Sequence, residues 1–130
     1  SLSVIILDEP YYRMTVENSF VDNGLRFAGP LALMALKTRA YLNLLKEREE
    51  GRRVNTKDIL KHRNDVLKLA ATTAIGDAVA VDAEIITTIE DFITNIQTSL
   101  PNQSIQDALR TDNETIKAYL EILRDFFEEK

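Results

Sequence analysis

Six side chains between Lys37 and Asp65 have types and spacings that could do chemistry. Lys37 falls in the first turns of a predicted helix, where a lysine ammonium is a compact point charge suited to phosphate or to an acidic partner. Arg48 follows eleven positions on, about three helical turns, and so shares its side of that helix. The alternative for both is an apolar stem lying along a core helix with its charge held in water. On the next predicted helix Asp58, His62 and Asp65 recur at i, i+4 and i+7 and share one face, with Lys61 beside them. Carboxylates and an imidazole on one face can converge on a divalent ion or act as an acid–base pair. The alternative is a surface ladder in which Asp58 and Asp65 pair with Lys57, Lys61 or His62. A metal site at Asp58, His62 and Asp65 would need further ligands from elsewhere.

Other chemistries lack their parts. The chain has no cysteine, which excludes disulfides, thiolate zinc sites and cysteine nucleophiles. It has no phosphate-cradling G-x-x-x-x-G-K-[ST] loop, no G-x-G-x-x-G, and no serine in a G-x-S-x-G elbow. The carboxylates Asp82, Glu84, Glu90 and Asp91 stand where helix caps and polar faces are expected, and Tyr11 and Tyr12 read as packing residues. A net charge of −5 argues against nucleic acid as a main partner, because duplex binding needs a dense basic face. The nearest basic stretch, Lys46 to Lys57, is interrupted by Glu47, Glu49 and Glu50 and reads as a solvated face.

The elements that must position these residues follow from patterning. With 130 residues and 45% hydrophobic content, the chain suffices for one domain with its own core. Leu2 to Leu7 is short, apolar and β-branched and predicts a strand buried on both faces. Asp8-Glu9-Pro10 starts a short helix, Tyr11 to Asn18. Ser19 to Asp22 and Leu25 to Phe27 flank Asn23-Gly24 and predict a hairpin. From Pro30 the period becomes 3.6: Leu33, Leu36, Ala40, Tyr41, Leu44 and Leu45 make one stripe, ending at Gly51. Asn55 or Thr56 caps the next helix, with Ile59, Val66, Leu69 and Ala70 inward. Asp82 opens a third, with Ile85, Ile89, Phe92, Ile93 and Ile96 in register, closed by Leu100-Pro101, and a short turn spans Ser104 to Leu109. Asp112 caps the last, whose stripe is Ile116, Tyr119, Leu120, Leu123, Phe126 and Phe127.

The expected fold is therefore mainly α. It is a bundle of about four long helices over 29–130, preceded over 1–28 by a strand, a short helix and a small β-hairpin, in a single domain. Such a hairpin is marginal alone and should dock on the helices or complete a sheet begun upstream. No apolar run reaches the roughly 20 residues of a membrane helix, and no signal peptide is recognisable. A cytoplasmic setting is expected, and an opening on Ser1 at the mouth of an apolar strand reads as a cut through a larger protein.

Three runs together carry a resemblance: A-L-K-T-R-A-Y-L-N-L (Ala35 to Leu44), G-R-R-V-N-T-K-D-I (Gly51 to Ile59) and K-H-R-N-D-V-L-K-L (Lys61 to Leu69). They resemble the C-terminal part of AbiEii-type nucleotidyltransferases, toxin-like members of the polymerase-β-like superfamily. The opening L-S-V-I-I-L-D-E-P-Y-Y is similar to the strand and turn before this helix in the family. The resemblance covers about half the chain; after Gly76 only the helix type matches. It implies that Lys37 meets nucleotide phosphates, with Arg48 as a looser counterpart, and that Lys61, His62 and Asp65 form a motif bordering the cleft. The family's catalytic half, with a Gly-Gly or Gly-Ser loop and paired aspartates holding Mg2+, has no counterpart here, so no catalytic residue or cofactor is expected in this chain. The implied whole is a prokaryotic toxin–antitoxin protein. Its expected partners are a nucleotide, bound together with the absent half, a cognate antitoxin, or a second copy. From a different class, the alternative is a non-catalytic helical interaction or dimerisation module, marked by an apolar face left exposed away from Lys37 and Asp65.

Overall fold

A computed structural model describes residues 2–130. It is mainly helical, as the periodicity requires, with elements α1 (Leu2–Ile5), α2 (Glu9–Glu17), β1 (Ser19–Asp22), β2 (Leu25–Ala28), α3 (Pro30–Glu49), α4 (Thr56–Thr72), β3 (Val79–Val81), α5 (Ala83–Ser99), α6 (Gln103–Leu109), α7 (Asn113–Asp125) and β4 (Phe127–Glu129). None of the described helices is long and apolar enough to cross a membrane.

The long helix α3 is the centre of the bundle and packs against α1, α2, α4 and α5. Its burial is wider than the predicted stripe. Ala32, Met34, Ala35 and Thr38 are buried along with Leu36, Ala40 and Tyr41, whereas Leu33, Leu44 and Leu45 are only half-buried. A helix with neighbours on several sides needs apolar or small residues around much of its circumference, and a single-stripe reading underestimates that. The remaining core comes from Val66 and Leu67 of α4, Ile85, Ile89 and Phe92 of α5, Ile105 of α6, and Leu120 of α7.

Local stops and starts follow the sequence. Asn55 caps α4, its side chain accepting from the Lys57 amide at 2.9 Å, and Asp112 caps α7, accepting from the Thr115 amide at 2.8 Å. In the hairpin Asn23 (φ 51°) and Gly24 (φ 77°) both take the left-handed region that a two-residue turn matched to strand twist requires. Gly29, between hairpin and α3, is required by crowding: a Cβ there would lie 2.5 Å from the Asn18 carbonyl oxygen, which accepts the Gly29 amide at 2.8 Å.

Three expectations need correction. Leu2 to Leu7 is not a strand: α1 is a helical turn that places Ile5 in the core and leaves Leu2 and Ile6 partly buried. A strand buried on both faces needs neighbours in a sheet, and the described residues offer it none. Apolar residues at i, i+3 and i+4 instead give one helical face against α3. Phe127 belongs not to the last helix but to β4, which pairs in parallel with β3, Val79 opposite Phe127. Strands of three residues are too short for alternation to register. Tyr12 is exposed, while its neighbour Tyr11 is buried and donates to Thr88 Oγ1 at 2.7 Å.

Candidate functional site

The short connection from α3 to α4 folds them back antiparallel, so residues 28 positions apart meet across their seam. Lys37 Nζ donates to Asp65 Oδ2 at 2.8 Å, with the two side chains 17% and 28% exposed. They line a hollow of about 220 Å³ together with Leu33, Lys68, Leu69 and Thr72. Leu69 and Thr72 also border a larger open hollow of about 650 Å³, whose other wall is Gly29, Pro30 and Leu31 at the start of α3. The two form one groove, running from the N-terminus of α3 to the Lys37–Asp65 pair. Lys37 and Lys68 outweigh Asp65, so its inner end carries net positive charge within a chain of net charge −5.

His62 lies one turn before Asp65 and lines a different hollow of about 380 Å³, with Asn43, Glu47 and Asp58 on its polar side and Val4, Ile5, Ala40 and Leu44 on its apolar side. Its Nδ1 is buried without a hydrogen-bond partner. Burial first, and then the Lys37 ammonium, hold its pKa below the usual histidine value, with Asp65 and Asp58 pulling the other way. Protonating Nδ1 would leave a buried N–H unsatisfied, which acts in the same direction, and the proton of the neutral ring is assigned to Nε2 on that ground.

The seam thus brings together Lys37, Asp65 and, through its charge environment, His62. Asp58 joins His62 at the second hollow. Arg48 and Lys61 are exposed and line neither hollow, and Arg48 stands roughly 16 Å from Lys37 along α3. Asp58, His62 and Asp65 do not close on a common point. Among the described residues no group of three or more His, Asp or Glu could hold a metal ion.

Two features escaped the sequence reading. Lys68, i+3 from Asp65, reaches the same groove, and its spacing could have found it. Arg63, only 6% exposed, donates to Asn64 Oδ1 and, across to α6, to Ser104 Oγ, both at 3.0 Å. No sequence signal separates such a buried tie from a surface arginine. No protein-family model matches the chain, and no curated protein or solved structure matches it significantly.

Proposed function

We propose that this chain is the C-terminal helical part of a nucleotidyltransferase of the AbiEii-like kind, and that the α3–α4 groove receives the nucleotide's phosphates. The observation that carries this reading is the meeting of Lys37 with Asp65. They come from two of the three separate runs that bear the resemblance, and they lie together in a groove that is locally positive. Asp65 fixes the ammonium at the groove wall, so a phosphate oxygen meets a donor already held in place, at little ordering cost. Lys68 adds a second cation, while the Thr72 hydroxyl at the groove wall donates to the Lys68 carbonyl at 2.8 Å. Arg48 lies too far along α3 to share that phosphate. Metal-bearing carboxylates would come from an α/β half, and in-line transfer would take place there, against this wall. A prokaryotic, cytoplasmic toxin–antitoxin setting belongs to the same reading.

The test is calorimetric titration of a nucleoside triphosphate, with magnesium, into the longer protein that carries this chain. Lys37→Ala should weaken binding by roughly 10- to 100-fold, the loss of one charge-assisted phosphate contact. Lys37→Arg should keep most of the affinity. Affinity unchanged in a folded Lys37→Ala protein defeats the proposal.

A second reading, a non-catalytic interaction module, is favoured by a separate observation. Among the described residues, eight of the nine exposed large apolar side chains lie between Val4 and Phe27, away from the groove's inner end.

A further inference from the structure

Among the described residues Arg63 is the one charged side chain that the fold buries, and no carboxylate comes with it. Burial pushes its pKa down, and the single titratable group pulling the other way is the Tyr41 phenol. Arg13 and Arg124, whose side chains are 45% and 38% exposed, by contrast meet Asp82 at 3.0 Å and Glu90 at 2.8 Å. A charge withdrawn from water without a counter-ion is costly, and an arriving anion recovers that cost. The surroundings of Arg63 are neutral. Its Nε and Nη2 donate to Asn64 Oδ1 and Ser104 Oγ. Tyr41 of α3 donates its hydroxyl to Asn95 Oδ1 of α5 at 2.6 Å, and its ring stands edge-on to Phe92 with centroids 5.4 Å apart. Burial raises the Tyr41 pKa above the ordinary tyrosine value, so at neutral pH the phenol is protonated and supplies no charge. Arg63 and Arg48 both pull that pKa back down, which puts two guanidinia near one hydroxyl. Arg48 is exposed and has no carboxylate partner among the described residues; the nearby Glu47 turns to Arg52, 4.0 Å away.

We infer that Arg63 and Arg48 receive a phosphate group, as the free ion or on a small monoester, beside the Tyr41 hydroxyl. The donors suit it. A guanidinium has five N–H groups, and the neutral acceptors Asn64 and Ser104 take one each from Nε and Nη2. Both hydrogens of Nη1 and the second of Nη2 are left, and they form a planar fork that matches two oxygens of one anion. That fork is reachable. Nη1 has no partner, and the one fully enclosed polar side-chain atom without a partner among the described residues is His62 Nδ1, so Nη1 keeps contact with water. Charge selects the anion. A phosphate dianion balances both guanidinia, whereas a carboxylate balances one. A chain of net charge −5 repels a polyanion at long range, which favours a small molecule over nucleic acid. None of Tyr41, Arg48, Arg63, Asn95 and Ser104 lines the Lys37–Asp65 groove or the His62 hollow, so this site stands apart from the proposed nucleotide wall.

Sodium phosphate is titrated into the chain from about 0.1 to 50 mM, at constant ionic strength so that screening is fixed, and followed by 15N NMR at the Arg63 Nε and the Ser104 amide. The shifts should saturate with a dissociation constant of about 1 mM or tighter. The melting temperature should rise with phosphate concentration, as binding to the folded state alone requires. Arg48→Gln, at an exposed position, should weaken binding at least about fivefold. Arg63→Met should abolish the Ser104 shift, and Arg63→Lys, which keeps the charge without the fork, should not restore it. Lys37→Ala should bind phosphate here as the wild type does, which separates this site from the groove and leaves either free to fail alone. Glycerol phosphate binding as tightly as phosphate assigns the group to a monoester, and binding of inorganic phosphate alone assigns it to the free ion. Absence of saturation over that range overturns the inference. So does acetate binding as tightly as phosphate, or an affinity unchanged in Arg48→Gln, which decides the matter even where Arg63→Met fails to fold.

Discussion

Replacing Lys37 by methionine keeps most of the side chain's length and removes its charge, leaving the Asp65 carboxylate at 28% exposure with no cation. At 2.8 Å the gross attraction of two unit charges is roughly 6 kcal/mol at an effective dielectric of about 20. Most of that is offset by the desolvation both groups incur. Exposed pairs are worth about 0–1 kcal/mol, and breaking a fully buried one costs about 3–5. At 17% and 28% exposure the pair lies between these limits, and Lys37→Met should cost about 2 kcal/mol. For a domain of this length that is a fall in melting temperature of roughly 5–8 °C. Asp65→Leu should cost a similar amount, because it strands the ammonium. The double variant Lys37→Met/Asp65→Leu should recover most of the loss, since a stranded charge is worse than an apolar pair of similar volume. Urea and thermal denaturation of all four proteins measure the cycle. If the double variant loses the sum of the two single losses, the side chains act independently and the groove is not organised by their contact.

His62, the single histidine, gives one resolvable NMR titration. Lys37→Met should move its pKa up and Asp65→Asn should move it down, and the reverse order would contradict the seam geometry. The folded-state pKa is depressed, so the unfolded chain binds this proton first. The stability His62 contributes is present above the ordinary histidine value of 6.5 and lost as pH falls through the folded pKa. His62→Gln should flatten that part of the pH–stability curve, and an unaltered slope would reject the assignment. Gly29→Ala must displace the Asn18 carbonyl and should cost about 1–3 kcal/mol by denaturation, with a cost near zero showing that the hairpin is not anchored there. Leu120→Ala, at a fully buried position of α7, should cost about 2–5 kcal/mol, and a smaller loss would mean that α7 packs loosely.

The helices were legible because each carries its own signals. Asn55 and Asp112 are caps in sequence and in space, Asn23-Gly24 makes the turn its φ preferences demand, and the α5 stripe of Ile85, Ile89, Phe92, Ile93 and Ile96 is buried as spaced. Such features depend on neighbours within a few residues. The opening run was misread because strand or helix there depends on whether a sheet is present to receive it, and apolar β-branched residues suit either. The β3–β4 pair joins residues 48 positions apart and leaves no local trace.

The candidate site divides the same way. The sequence by itself determined which groups are available: Lys37 on one helix, Asp58, His62 and Asp65 on one face of the next, and no cysteine anywhere. Only the tertiary structure decided who meets whom. The antiparallel return of α4 along α3 gives Asp65 to Lys37, sends Asp58 and His62 to a separate hollow, and leaves Arg48 outside. A side chain's charge is intrinsic, whereas its partner and its exposure to water are set by how two helices lie together. Those two quantities make a lysine either a solvated surface cation or a donor held ready for phosphate.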